Sequence, residues 1–506
     1  MKNFRQQKAI RVVATLALIL ALAGIAVPAQ AQTFTSLHTF GGGQGDPPDG
    51  SYPNGLVQGT NGYLYGTTAF GGNGDGGGGD YYGTVFKIST SGTETILDNF
   101  NTASAPCCGN NAALALATNG DFYGTLFLNA DTEVYKVTPS GTLTGVGDSG
   151  LCNTADPPVC GQSPEATLVQ ASNGDLYGTT QTDGAYGQGV IFKMTLGGAF
   201  TILHSFCETE NSESDCLDGN GPYTALVQGT NGDLYGATHN GGANGAGTIF
   251  QITEAGKFST LYTFCNVSGC PDGAHPYAAL VQGADGNLYG ATGTDGTGAF
   301  GGGGTFFTIT PSGKLTTLYS FCNLTGCADG NYPMALMLAT DGNFYGMTAA
   351  GGANDLGSIF RMTPSGSLTT EHSFDGTDGI VTSDFPPGPW LIQDTSGTFY
   401  GVTPEGGANY QTCATCNGTV FSLSVGLGPF VETLPTSGKV ASAVKILGNN
   451  LTGATKVTFN GKTATFKVAS STEITTTVPT GATTGVVKVT TSTGTTLTSN
   501  VAFQVP

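Results

Sequence analysis

The chain carries little charge and few of the residues that usually do chemistry. Only 10% of its 506 residues are Asp, Glu, Lys or Arg, and it has one tryptophan and five histidines. It contains no Gly-x-Ser-x-Gly elbow, no His-Glu-x-x-His pair and no Gly-x-x-x-x-Gly-Lys phosphate loop, so no hydrolase, metallopeptidase or nucleotide site can be read from a motif. Basic residues are scarcest: 16 Lys and Arg stand against 35 Asp and Glu, a formal charge of −19. Such a surface repels a phosphate backbone, which excludes nucleic acid as a partner. Beyond the first 31 residues no apolar run is long enough to span a bilayer, so no transmembrane segment is expected in the mature chain.

What is present begins with an export signal. Lys2, Arg5, Lys8 and Arg11 precede an apolar run over residues 12–27, and Ala29, Gln30 and Ala31 form a small-x-small cleavage site. The mature protein is expected to start near Gln32 and to be periplasmic, extracellular or on the cell surface. Twelve cysteines agree with export. They fall in close sets, which read as local disulfides: Cys152 with Cys160, Cys207 with Cys216, Cys265 with Cys270, Cys322 with Cys327, and Cys413 with Cys416. Cys107 and Cys108 are vicinal, and their pairing stays open between each other and a distant partner.

Glycine is abundant at 82 residues and has no three-residue period. It sits in a longer rhythm instead. The stretch Leu-Val-Gln-Gly-Thr-Asn-Gly-Asp-Leu-Tyr-Gly at residues 226–236 recurs seven times, its tyrosines falling at 65, 123, 177, 235, 289, 345 and 400. A regular period of 54 to 58 residues means a repeat architecture. In the fourth copy, apolar runs at 225–228, 234–238, 248–253 and 257–264 read as four short strands. Asn231-Gly232 and Glu254-Ala255-Gly256 supply the turns. Four antiparallel strands per repeat predict an all-β fold, a seven-bladed β-propeller. Residues 33–40 match a fourth strand, whereas the seventh copy lacks one, so the N-terminal strand is expected to close the ring. The second copy has a short connection at 126–132 and is expected to be a trimmed blade. From about residue 428 the composition shifts to Thr, Val, Ser and Lys. Alternating runs at 444–447, 456–459, 463–468, 473–478, 486–491 and 501–505 then predict a β-sandwich. The domains are therefore read as a signal peptide (1–31), a propeller (32–427) and an immunoglobulin-like domain (428–506).

The repeat core, followed by Gly-Gly-x(n)-Gly-Thr-Ile/Val-Phe-Lys-Ile-Thr-Pro-Ser-Gly, resembles the GloVer tandem repeat of "choice-of-anchor" exported bacterial proteins. The C-terminal part resembles an IPT/TIG domain, on Pro435, Gly438, Ile446 to Leu451, Val457, Phe459, Gly461, Pro479, Gly481, Gly485, Val487, Val489, Ser499 and Asn500. The resemblance implies export and a surface role, and brings no catalytic residues.

Working residues are expected on the long loops, since variable loops on a rigid scaffold usually carry binding. Asp49, Asp218, Asp272 and Asp329 recur in Asp-Gly turns between copies. They read either as turn formers bonded to their own backbone or as a ring of carboxylates for calcium or sugar hydroxyls. Tyr52, Tyr223, Tyr277, Tyr332 and Trp390 cluster beside them in sequence, suited to sugar stacking or to packing. His38, His204 and His372 occupy fourth-strand positions that elsewhere hold Tyr262 or Tyr319, so they are scaffold. His239 and His275 lie on loops of one face and can approach each other. Two functions follow. One is a non-enzymatic binding or scaffold protein contacting a glycan or envelope partner, with no cofactor, calcium being the one ion left open. The other is a carbohydrate-active hydrolase or lyase using loop acids such as Asp46 with Asp49, or Asp375 with Asp378.

Overall fold

A computed structural model of the chain describes residues 32–41, 49–72, 83–100, 112–128, 131–146, 161–162, 166–208, 216–382, 388, 390–408, 410 and 418–506. The signal segment, Asp46, and the cysteines 107, 108, 152, 160, 413 and 416 lie outside these residues. Among the described residues the fold is all-β, with antiparallel sheets, two single-turn 3-10 helices and no α-helix.

Each tyrosine of the repeated motif falls in a sheet of its own. The fourth copy shows the pattern: Val227–Gln228, Leu234–Thr238, Thr248–Ile252 and Phe258–Thr263 pair in sequence order. Three of these strands match the sequence expectation within a residue. The first is shorter: Ala225 and Leu226 stand outside the ladder, and Ala225 lines a cavity. The Tyr-Gly step has a packing cause. A Cβ on Gly236 would sit 2.5 Å from Phe250 Cζ, so only glycine lets that ring cross the strand. The turn asparagine holds the tyrosine, with Asn231 Nδ2 donating to Tyr235 Oη at 2.9 Å. The second copy is trimmed, as expected. Its middle strands, Phe122–Leu128 and Asp131–Val137, are seven residues each and joined tightly, and it is the outer strand, Leu143–Gly145, that is cut short.

Neighbouring sheets are tied by one aspartate in the connection between them. Asp272 Oδ2 accepts from Tyr262 Oη at 2.8 Å and from the Cys265 N–H at 3.1 Å, both in the sheet and loop before it. Its carbonyl accepts from Thr305 Oγ1 at 3.0 Å, in the sheet after it. Asp218 does the same with His204 (3.0 Å), the Cys207 N–H (3.0 Å) and Thr248 Oγ1 (3.3 Å). Asp378 is shared between His372 (2.6 Å) and Thr419 Oγ1 (3.1 Å). His204 and His372 are therefore scaffold, as expected, and stand in for a tyrosine hydroxyl. Disulfides Cys207–Cys216, Cys265–Cys270 and Cys322–Cys327 close the same connections.

The last sheet takes its outer strand from the start of the chain. Thr33–Thr39 pairs antiparallel with Thr419–Ser424, Phe34 opposite Leu423 and Thr39 opposite Thr419. On the inner side Gln58 Oε1 accepts from the Thr395 N–H at 3.0 Å, repeating the Gln282 to Thr230 bond (2.9 Å) between other sheets.

The C-terminal residues form two further four-stranded sheets around one core that includes Ile446, Phe459, Ile474, Val489 and Phe503. Two expectations need correction here. The run at 463–468 is split into Lys462–Ala464 and Phe466–Val468, which belong to opposite sheets. The run at 501–505 forms only isolated bridges, through Phe503 to Gly485 and Gln504 to Ser437. This unit rests on the tight turns of the repeat sheets. Asn449 Nδ2 donates to Thr395 Oγ1 (3.0 Å), and Thr472 Oγ1 donates to the Thr60 carbonyl (2.7 Å).

Asp329 accepts from Tyr319 Oη (2.7 Å) and from the N–H groups of Asn323 (2.9 Å) and Leu324 (3.1 Å), and only 1% of it is exposed. Asp329→Ala leaves three donors without an acceptor and should cost about 3 kcal/mol, read as a lower urea midpoint. Asp329→Asn keeps an acceptor and should cost about half of that or less.

Candidate functional site

The structure separates the candidate residues into two groups. Asp218, Asp272 and Asp329 are buried, and their carboxylates point at the outer strand and loop behind them. They therefore do not line an opening as a ring of free carboxylates. Asp49 is bonded likewise to the Gly41 N–H at 3.1 Å. Trp390 is also corrected: it is 1% exposed and belongs to the largest hydrophobic cluster, so it offers no surface to a ligand. Its backbone pairs with Gly388 and Val402, and the strand that follows carries it inward.

The remaining aromatics come together. Tyr223, His239, Tyr277 and Tyr332 form a continuous group from three consecutive sheets. Tyr223 lies 5.9 Å from Tyr277 and 5.1 Å from His239, and Tyr277 lies 5.5 Å from Tyr332, centroid to centroid. His239 and His275 do meet, with rings 4.8 Å apart. Tyr223, Tyr332, His239 and His275 are half-buried, whereas Tyr277 is buried. Tyr52 stands against the exposed ring of Phe70, 5.5 Å away. Two more exposed rings, Tyr186 and Phe300, sit on the second-to-third-strand loops of other sheets.

Backbone geometry sets this group. Tyr52, His275 and Tyr332 each precede a proline and each has a left-handed φ, of 56°, 57° and 59°. Gly221, before Pro222, has φ 59°. A bulky residue in this region is disfavoured, at a cost of order 1–3 kcal/mol. The rigid connection maintains it and turns the side chain across the neighbouring sheet: a Cβ on Gly293 would lie 3.0 Å from the Tyr332 ring.

Electrostatics keep the His239 ring uncharged. Burial, with His275 beside it, pushes His239 down to about 4. His275 Nδ1 bonds the His239 carbonyl at 3.0 Å, and His239 Nδ1 is buried with no partner among the described residues. The His239 ring can therefore offer a hydrogen bond to a neutral hydroxyl at pH 7.

A second concave feature lies inside. A cavity of ≈ 340 Å³ is lined by Ala225, Ala279, Leu336 and Ile392 of the repeat sheets. Thr167 and Thr224 also face it, and both hydroxyls lack a partner among the described residues. Glu432 and Asn500 of the C-terminal unit close one end, with Asn500 Nδ2 donating to Glu432 Oε1 at 3.2 Å. Glu432 was not singled out from the sequence. Nothing in its own strand marks it, since its surroundings come from another unit of the chain. Its side chain is half-buried and borders the cavity. Burial, then the nearby Asp394, pushes it up to about 7 against the pull of Asn500. A raised acid favours its protonated form in the folded state. The cost is full above pH 7 and vanishes below the ordinary value near 4.5. Glu432→Gln should therefore raise stability at pH 8 by about 1–3 kcal/mol and leave it unchanged at pH 4, measured as paired urea midpoints.

The Gloeobacter/Verrucomicrobia repeat matches residues 75–301 and again 265–465, and the IPT/TIG domain matches 430–505. No curated protein matches the chain. Among solved structures, streptogramin B lyase is 15% identical, covering 78% of this chain and 97% of its own at a TM-score of 0.48. A protein from Lactobacillus plantarum is 16% identical, with 67% and 95% covered and a TM-score of 0.42. The α-L-arabinanase of Penicillium chrysogenum, complexed with arabinobiose, is 15% identical, with 65% and 98% covered and a TM-score of 0.38. At these scores neither lyase nor arabinanase chemistry transfers to this chain. The chain belongs to the Gloeobacter/Verrucomicrobia repeat family and ends in an IPT/TIG domain.

Proposed function

We propose that this is an exported, non-enzymatic binding protein of the cell surface or its surroundings, whose partner is a glycan or another envelope polymer. Residues 1–31 act as its signal peptide, residues 32–427 make a seven-bladed β-propeller, and residues 428–506 make a separate immunoglobulin-like domain. Ring closure is supported by three contacts across one seam. These are the pairing of Thr33–Thr39 with Thr419–Ser424, the Gln58 to Thr395 bond, and Asp49 reaching Gly41 on one side and Thr84 Oγ1 (3.4 Å) on the other. The C-terminal domain takes the tight-turn face through Thr395 and Thr60, which leaves the long-loop face for the partner.

The aromatic group of Tyr223, His239, Tyr277 and Tyr332 carries the reading. A sugar ring presents C–H bonds to an aromatic face and hydroxyls at its rim. Half-buried tyrosines beside the neutral His239 ring answer both. Of the acid pairs that a hydrolase reading uses, Asp49 and Asp378 are engaged in linking sheets, as are Asp218, Asp272 and Asp329.

The test is a glycan and envelope-polymer array with the purified protein, alongside a Tyr223→Ala/Tyr332→Ala double variant. Saturable binding should appear, and the variant should weaken it by about tenfold or more, as loss of two aromatic contacts implies. An array blank for the wild type removes the proposal, and undiminished binding by the variant moves the site elsewhere. Shortening of a polysaccharide on incubation would favour the hydrolase or lyase reading.

A further inference from the structure

Each outer-strand His or Tyr is covered by the next sheet in the same way. Phe258 stacks on His204 at 3.9 Å, and Phe34 stacks on His372 at 3.7 Å. Leu315 and Tyr262 flank one core cluster, and Leu368 and Tyr319 another. These covering residues are the first of their strands or one from it: Phe258, Leu315, Leu368 and Phe34. In one sheet that place holds a carboxylate, Glu94, the first residue of Glu94–Asn99. The ring it faces is His38.

The result is a compact donor set. Glu94 Oε2 lies 3.5 Å and Asp49 Oδ2 3.3 Å from His38 Nε2, and one ligand atom from each residue lies within 4.8 Å of the others. The Glu94 side chain is nine-tenths buried, at 10% exposure. Its Oε1 and His38 Nε2 have no hydrogen-bond partner among the described residues. A buried carboxylate with one oxygen left unpartnered, in place of an apolar cover, is costly, and His38 approaches only its other oxygen. The other two donors are already oriented. The Gly41 N–H holds Asp49 through both oxygens, at 3.1 and 3.2 Å, and the Phe40 ring stands edge-on to His38 at 4.8 Å. His38 and Asp49 are each 21% exposed, so water can complete a coordination shell.

We propose that His38, Asp49 and Glu94 bind one divalent transition-metal ion of the zinc class. One imidazole nitrogen and two carboxylate oxygens, with an open side, suit that class. Calcium and magnesium take oxygen ligands and want more of them. The ligands come from Thr33–Thr39, from the connection after it and from the outer strand Glu94–Asn99, so the ion joins the N-terminal strand to the first sheet.

The test titrates tag-free full-length protein with Zn²⁺ by calorimetry, beside Glu94→Leu and Glu94→Gln. Glu94→Leu restores the apolar cover of the sister sheets, so it keeps the fold, and its thermal midpoint in chelator verifies that. The wild type should take up one zinc per chain, at least about 100-fold more tightly than either variant. Zinc should raise the thermal midpoint of the wild type alone. Equal affinity in all three proteins, or no saturable zinc binding by the wild type, overturns the site. Calcium binding as tightly as zinc overturns the assigned class of ion.

Discussion

The aspartate between one sheet and the next is the contact on which the architecture depends. It is a buried or half-buried charge, and a buried carboxylate is stable only when donors surround it. Here the carboxylate takes its donors from the sheet and loop behind, and the backbone carbonyl of the same residue takes one from the sheet ahead. In the case of Asp272 they are a tyrosine hydroxyl and a backbone N–H behind it, and its own carbonyl takes a threonine hydroxyl ahead. Because its side chain and its carbonyl reach different sheets, the residue sets how two sheets meet and not merely how a loop turns. His204 and His372 serve in place of the phenol because an imidazole N–H reaches the same oxygen. The seam around Asp49 follows this rule with one change, a glutamate where the others have a ring or a leucine.

This use of the aspartates has a functional consequence. Groups engaged in linking sheets are not free to act on a ligand, so polar recognition falls to hydroxyls, imidazoles and backbone. The loop face offers Tyr223, Tyr277 and Tyr332 with His239 and His275, and the interior offers Thr167, Thr224 and Glu432 around an apolar cavity. Both are assembled by contacts between sheets, as the aspartate links are. The C-terminal unit contributes directly to the second, since Glu432 and Asn500 close it.

Much of this was legible before any coordinates. The period of the Tyr-Gly motif, the strands around Leu234–Thr238, the pairing of Cys265 with Cys270 and the scaffold role of His204 are local, and local spacing decides them. The aspartates were half legible. Their repetition marked them as turn formers, but not that their side chains reach the strand behind. Trp390 was misread because a tryptophan beside Pro and Gly looks like a loop residue, whereas its strand turns it into the core.

By itself the sequence determined the elements: the antiparallel strands, their turns, their order and their sevenfold recurrence. Those depend on residue spacing within about a dozen positions, through pleat, turn geometry and the glycine under each crossing ring. Tertiary structure alone decided which side chains meet across repeats. His239 joins His275, Tyr223 joins Tyr277, and Glu94 faces His38 from more than fifty residues away. Such contacts depend on how neighbouring sheets stack, a relation between copies that no single copy encodes. The residues that set this protein apart from a plain array are those where one copy departs from the others and a neighbour is placed to meet the change.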